Sequence, residues 1–341
     1  MTPDNQSADQ GQLSSLQHFV RPLQAFLLDP EVTEICMQRP AELFIERRSA
    51  WQCAAVPWAT DLWARHFARL LATASSQRVS AEAPLLSATL PGGERVQIVL
   101  PPASGPDGVV IAIRKPAAVV WSLCDLADRG AFSHGGARSA VSVDEGAELR
   151  GLYKSGAVEQ FLGMAVRRRL NILVAGATGS GKTTLTKALI LEIPRDERLI
   201  SIEDAAELGF AAHRNSVRLF YSKDNQGRAQ VTPKQLLEAA LRLRPDRILL
   251  AELRGEEAYH FLRNVSSGHP GSITSIHAGT AALAFEQLAL LVKESAAGRD
   301  MSLGDIHRLS RAVIDVVVCC RRHLGRREIH ELWWRDGDTP D

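Results

Sequence analysis

Residues 176 to 183 read Gly-Ala-Thr-Gly-Ser-Gly-Lys-Thr, after the apolar run 171–175 and before the helical stretch 184–190. Gly176, Gly179 and Gly181 let the backbone fold into a nest of N–H groups facing phosphate oxygens, and the positive end of the following helix reinforces it. Lys182 is spaced to reach the β- and γ-phosphates and Thr183 to ligate Mg²⁺. Ala177, Thr178, Ser180 and Thr184 complete the cradle. The ligand expected here is a nucleoside triphosphate.

A phosphate loop alone does not separate a kinase from a switch or a motor, and three further segments carry chemistry. Ile202-Glu203-Asp204-Ala205-Ala206-Glu207 places acids at the end of a strand, where residues of a doubly wound sheet face the ligand crevice. Glu203 and Asp204 are candidates for the Mg²⁺ shell, and the cluster as a whole for orienting an attacking water. A solvated helix cap explains the same acids, and the sequence leaves both readings open. Arg247-Ile248-Leu249-Leu250-Ala251-Glu252 is an apolar strand ending in a carboxylate, the form of a Walker B element, with Glu252 near the metal or acting on the nucleophile. In Gly268-His269-Pro270-Gly271-Ser272-Ile273-Thr274-Ser275-Ile276-His277, a strand flanked by imidazoles is able to sense the γ-phosphate. A zinc pair is disfavoured, because no third ligand lies at suitable spacing.

These residues need a sheet to hold them. From residue 157 onward helical and strand patterns alternate, which predicts a parallel sheet covered by helices. Strands are expected at 199–202, 217–219, 248–251 and 272–276, and a helix between Thr232 and Arg244, capped by Thr232 and stopped by Pro245. Upstream, 13–27 reads as an amphipathic helix and 63–71 as another. Short alternating runs at 32–37, 43–46, 95–100 and 109–114 make this first unit α+β. The expected organisation is a disordered tail at 1–11, an N-terminal α+β domain at 12–116, a linker at 117–156 with its junction near Ser133–Ser139, and a C-terminal α/β domain at 157–341.

Composition narrows the class. With 341 residues and 45% apolar content, two cores are affordable. Forty Lys and Arg against thirty-nine Asp and Glu leave a net charge of +1, so no whole-chain field selects nucleic acid or anionic lipid. Five scattered cysteines without a Cys-x-x-Cys pair exclude a disulfide framework and are expected to be small buried hydrophobes. The polar start Met1 to Ser7 is no secretory signal, and no apolar run is long enough to span a bilayer, so a cytoplasmic protein is expected.

The order of loop, acidic box, Glu-ending strand and histidine box, with Arg-Pro-Asp-Arg-Ile-Leu-Leu-Ala-Glu-Leu-Arg-Gly and Ser-Gly-His-Pro-Gly-Ser-Ile-Thr-Ser-Ile-His-Ala, closely resembles the type II/type IV secretion ATPase family. Its hexameric traffic ATPases of type IV secretion are the most similar branch, since the tetracysteine zinc module of the pilus-extension relatives is missing. Glu42 to Glu46, Leu90 to Arg95 and Ile113 to Pro116 resemble that group's N-terminal domain. The resemblance implies a RecA-like P-loop domain preceded by a smaller α+β domain, six subunits in a ring, ATP and Mg²⁺ as ligands, and peripheral attachment to inner-membrane secretion components. It further implies that Arg114 and Arg95 approach the nucleotide phosphates, that Glu207 is the catalytic carboxylate of the acidic box, that Glu252 is the Walker B glutamate, and that His277 is the sensor. Arg242 and Arg244 read either as charge-stabilising residues or as a basic helix face. The competing readings are a DNA-translocating motor, which would want a basic channel, and a non-hydrolysing scaffold. Direct sequence-specific nucleic-acid binding is not expected, whereas secretion substrates are possible cargo.

Overall fold

The computed structural model describes residues 15–116, 122–128, 143–222 and 227–337. Expectations for the N-terminal tail and for the junction near Ser133–Ser139 lie outside these residues.

The first domain opens with helix α1 (15–20), a 3₁₀ turn Arg21–Leu23 and α2 (Gln24–Leu27). Its six strands, β1 (Val32–Met37), β2 (Glu42–Arg47), β3 (Ala50–Ala55), β4 (Leu85–Thr89), β5 (Arg95–Val99) and β6 (Val110–Arg114), form an antiparallel sheet in the order β3-β2-β1-β6-β5-β4. Helix α3 (Asp61–Ala74) is capped by the Thr60 hydroxyl, which accepts from the Trp63 amide. Because side chains alternate across a strand, Ile35, Leu43, Ile45, Val96, Ile98, Ile111 and Ile113 pack with Phe67 and Leu71 of α3. The rings of Phe19, Trp63 and Phe67 stack at 5.8 and 5.4 Å between centroids.

The opposite face of this sheet is not left to water. Cys36, Phe44, Val99, Val110 and Ala112 belong to one continuous core with Ile200, Leu219, Leu236 and Ala240 of the second domain. Polar contacts rim it. The Gln38 amide donates to Asn215 Oδ1 at 3.0 Å, Arg214 pairs with Glu42 at 2.8 Å, Arg228 with Glu82 at 2.8 Å, and the Phe220 amide donates to the Ala103 carbonyl at 2.8 Å.

The stretch expected to be linker contains helices α4 (Leu123–Asp128) and α5 (Val143–Lys154). Helix α5 is part of the second domain: Leu149 is buried and Tyr153 meets Phe161 and Trp334 at 5.7 and 5.5 Å between ring centroids. Next come α6 (Val158–Arg167), β7 (Ile172–Gly176), α7 (Lys182–Leu191), β8 (Leu199–Glu203), β9 (Ser216–Phe220), α8 (Pro233–Arg242) and β10 (Arg247–Leu250). They are followed by α9 (Glu257–Ser266), β11 (Ile273–Ile276), α10 (Ala281–Glu294), α11 (Leu303–Val313), β12 (Val316–His323) and β13 (Arg326–Trp334). Parallel strands β9-β8-β10 and β11-β7-β12 make two ladders, with β13 antiparallel at the edge. Among the described residues the bridge Leu253 to Ile276 joins them, and buried hydroxyls finish the seam: Ser272 donates to the Ile248 carbonyl at 2.6 Å and Ser275 to that of Ala251 at 2.9 Å. This is the α/β sheet that the alternation predicts, with β12 and β13 added. Of the cysteines, Cys36, Cys319 and Cys320 are buried, whereas Cys53 and Cys124 are exposed, contrary to the expectation for all five.

Candidate functional site

The apolar run of β7 fills the middle of the sheet and ends at Gly176, where the chain must turn at once. A Cβ there would lie 2.6 Å from the Cys320 carbonyl and 2.4 Å from Ser180 Oγ, so no other residue fits. Gly181, at φ +105°, precedes α7 and supplies no side-chain cap. The first amides of α7 are therefore left for a ligand. Around this turn lies a cleft of about 310 Å³ at the carboxyl ends of the parallel strands, the place where open α/β sheets bind ligands.

The structure brings most of the sequence candidates together. Ala177, Thr178, Gly179, Gly181, Lys182, Thr183 and Thr184 line the cleft, joined by Glu207, Glu252 and His277. Gly176 and Ser180 support it from beneath; the Ser180 hydroxyl is buried without a hydrogen-bond partner among the described residues. Lys182 is only 8% exposed and already engaged. Its Nζ donates to the Gly176 carbonyl at 2.9 Å and stands 3.3 Å from His277 Nδ1 and 3.5 Å from Glu252 Oε1. His277 Nε2 is 2.9 Å from the same Glu252 oxygen. One tautomer satisfies both contacts, with Nε2–H donating to Glu252 and Nδ1 accepting from Lys182. Glu252 also pairs with Arg254, which reaches Asp204 at 3.0 Å.

Residues 147–330 match the family described as Type II/IV secretion system protein. The type IV secretion system protein VirB11 of Bartonella quintana is 44% identical over 326 residues, covering 92% of this chain and 91% of that one. VirB11 of Brucella suis is 46% identical over 329 residues, covering 94% and 90%. The crystal structure of the VirB11 ATPase from the Brucella suis type IV secretion system, in complex with sulphate, matches with a TM-score of 0.91 at 43% identity and covers 98% of both chains. The chain belongs to the type II/IV secretion ATPase family. It is a nucleotide-binding ATPase of type IV secretion, built on the RecA-like fold with its N-terminal domain.

Within this secretion ATPase the acidic box divides its labour. Glu203 is fully buried and both its oxygens are taken: Oε1 accepts from Ser201 at 2.6 Å and Arg218 at 3.0 Å, and Oε2 from the amides of Glu207 and Leu208 at 2.8 Å each. Expected as a metal ligand, Glu203 instead ties the loop that carries Glu207. Asp204, the other expected ligand, is held by Arg254 and does not line the cleft. Glu207 does, with Oε2 at 3.4 Å from the Thr183 hydroxyl. Thr183, Glu207 and Glu252 thus offer oxygen donors beside the phosphate nest, the chemistry a hard divalent cation takes. Among the described residues no group of three or more His, Cys, Asp or Glu side chains is placed to hold a metal ion.

Arg95 and Arg114 stand elsewhere. They do not line the phosphate-loop cleft; they face a separate cleft of about 360 Å³ with Arg242 and Arg244. Arg242 donates to Ser87 at 2.7 Å and Arg244 pairs with Glu46 at 2.8 Å, so in this arrangement the helix-end arginines fasten the two domains. Directly paired positions run across four strands as Glu46, Glu34, Arg114 and Arg95. Glu34 is almost fully buried, 3.8 Å from Arg114, and burial pushes its carboxyl up to about 7 although Arg114 partly offsets this. The folded group keeps its proton to about pH 7, while the unfolded one loses it near 4.5. Raising the pH through that window therefore removes stability. Glu34→Gln is expected to flatten this decline, measured as urea midpoints at pH 5 and pH 7.5; equal declines in both proteins would contradict it.

Sequence reasoning missed three cleft residues. Arg254 follows the Walker B glutamate by two positions and that neighbourhood was its only signal. Ser275 lies in the histidine box, and Arg327 arrives from the β12–β13 hairpin. His269, read with His277 as one of two imidazoles able to reach the γ-phosphate region, does not line the cleft.

Proposed function

We propose that the protein works as a homohexameric ring that couples Mg²⁺-dependent ATP hydrolysis to the movement of secretion substrates or pilus subunits, docked on inner-membrane components of its secretion machine. Among the described residues no helix is long and apolar enough to cross a membrane, so contact with the membrane would run through such partners. The observation that carries the reading is the Lys182–Glu252–His277 cluster set into the phosphate nest.

ATP would draw Lys182 from the Gly176 carbonyl and Glu252 onto the β- and γ-phosphates, which the amides at the start of α7 also receive. Glu252, relieved of one cation and still hydrogen-bonded to His277, is then free to orient a water for in-line attack. Arg254 sits beside it, ready to offset charge that develops on the transferred group. Thr183, with Glu207 and Glu252 behind it, would hold Mg²⁺, which would supply positive charge to neutralise the phosphates. Release of the nucleotide then returns Lys182 to its resting partners.

No described side chain from the N-terminal domain reaches this cleft in its own chain. If Arg95 and Arg114 act on phosphates, as the family resemblance implies, a neighbouring subunit supplies them. ATP hydrolysis per subunit, followed across a protein dilution series with Lys182→Ala as blank, is expected to rise steeply with concentration. Constant, non-zero turnover would point to a self-sufficient subunit or to a ring already fully assembled across the series. Its complete lack would favour a scaffold that uses ATP only to assemble.

A further inference from the structure

Strand β7 ends at Gly176, but its neighbour β12 does not stop there. Cys320 pairs with Gly176, and β12 continues through Arg321, Arg322 and His323 before turning at Leu324–Gly325 and returning through Arg326 and Arg327. The overhang runs beside the phosphate loop. It is crowded with basic side chains, and Arg322 lies directly opposite Arg327. Like charges facing each other across a ribbon are unfavourable.

One pair on this ribbon is neutralised, since Arg321 donates to Glu328 at 2.5 Å. Arg327 forms no hydrogen bond or ion pair among the described residues. Its aliphatic stem lies on Gly181, where an added Cβ would meet Arg327 Cδ at 3.0 Å and its Cβ and Cγ at 3.6 Å, and the side chain lines the cleft. An arginine held over the first turn of α7, with another arginine opposite and no carboxylate partner, lacks an anion.

We propose that Arg327 is a nucleotide-binding residue whose guanidinium takes phosphate oxygens common to ADP and ATP, with Arg322 adding to the positive field. The position distinguishes it from the hydrolytic groups: Glu252 and His277 contact Lys182 Nζ, and Glu207 contacts Thr183, whereas Arg327 packs on Gly181 at the start of the helix. It therefore holds ground state and transition state alike, which shows in KM rather than kcat. Arg326, paired with His323, points to the other face of the ribbon from Arg327, because successive strand residues alternate.

The proposal rests on the nucleotide reading of the loop, and the test separates the two. ADP affinity by calorimetry and steady-state ATP hydrolysis are measured for the full chain and for Arg327→Ala, Arg327→Lys and Arg326→Ala. Arg327→Ala is expected to weaken ADP about ten-fold and raise KM for ATP by a similar factor, the size of one charge-assisted hydrogen bond, with kcat within about two-fold. Arg327→Lys restores much of the loss, since a point charge still attracts phosphate, and Arg326→Ala binds as the unaltered protein does. Unchanged ADP affinity in Arg327→Ala, with or without a fall in kcat, overturns the assignment. Failure of the unaltered protein to bind ADP overturns the nucleotide reading itself and the proposal with it.

Discussion

Lys182→Ala is expected to lower ATP turnover by at least about a hundred-fold, the scale of losing one preorganised cationic or hydrogen-bonding partner of the transferred phosphate. Lys182 is not idle before nucleotide arrives: it is buried, and its ammonium already serves the Gly176 carbonyl and Glu252. Removing it leaves Glu252 with Arg254 and His277 as partners. A cooperative unfolding transition is therefore retained, lowered by about 2–4 °C for each kcal/mol lost. Turnover within ten-fold of the unaltered protein would place the phosphate chemistry elsewhere, and loss of cooperative unfolding would make the lysine chiefly structural.

Arg247→Ala is expected to have the largest effect on stability, about 3–5 kcal/mol. Arg247 sits at the start of β10 with no solvent exposure. Its guanidinium grips Glu197 through two bonds of 2.6 and 3.0 Å and donates a third, of 2.8 Å, to the Val166 carbonyl at the end of α6. Truncation strands the Glu197 carboxylate in the interior, with only the half-exposed Arg169 at 3.4 Å to answer it. Uncompensated charge, more than the lost contact, sets the cost. Replacing both partners, as Arg247→Met with Glu197→Leu, is expected to recover most of the loss. Denaturant midpoints check this, and a deficit under about 1 kcal/mol for the single variant would show that the pair is hydrated.

The parts of the site that were legible in the sequence are those whose chemistry is contiguous. Residues 176–184 contain their own turn, nest and helix start, so local order dictates three-dimensional order. Glu252 ends an apolar run that has only a buried strand to occupy, and His277 ends a short strand with glycines near both ends. The acidic box was legible as a group but not by role, because Glu203 and Glu207 differ in which way the chain turns between them: one faces Arg218 and two backbone amides, the other the cleft. Arg327 was hidden because β12 ends and β13 begins in a run of Arg and His that reads as solvated surface. Helix α5 is hard to read from sequence because its packed stripe of Leu149, Leu152 and Tyr153 spans little more than its last turn and borders a stretch rich in Gly and Ser. Strand β3, mostly exposed, has no alternation to reveal it. Arg242 and Arg244 gave a helix face whose partners, Ser87 and Glu46, come from the other domain, and no local pattern announces that.

The contact between the two domains has a mechanical consequence. Cys36, Phe44, Val99 and Ala112 share one dry core with the nucleotide-binding sheet, and ion pairs seal its edge. Such a joint is a weld rather than a hinge: prying it open would wet the core and strand the charges around it. A displacement begun at the phosphate loop therefore reaches the six-stranded sheet without slack. In the proposed ring each welded pair swings as one stiff arm, and the give lies at the seams between arms.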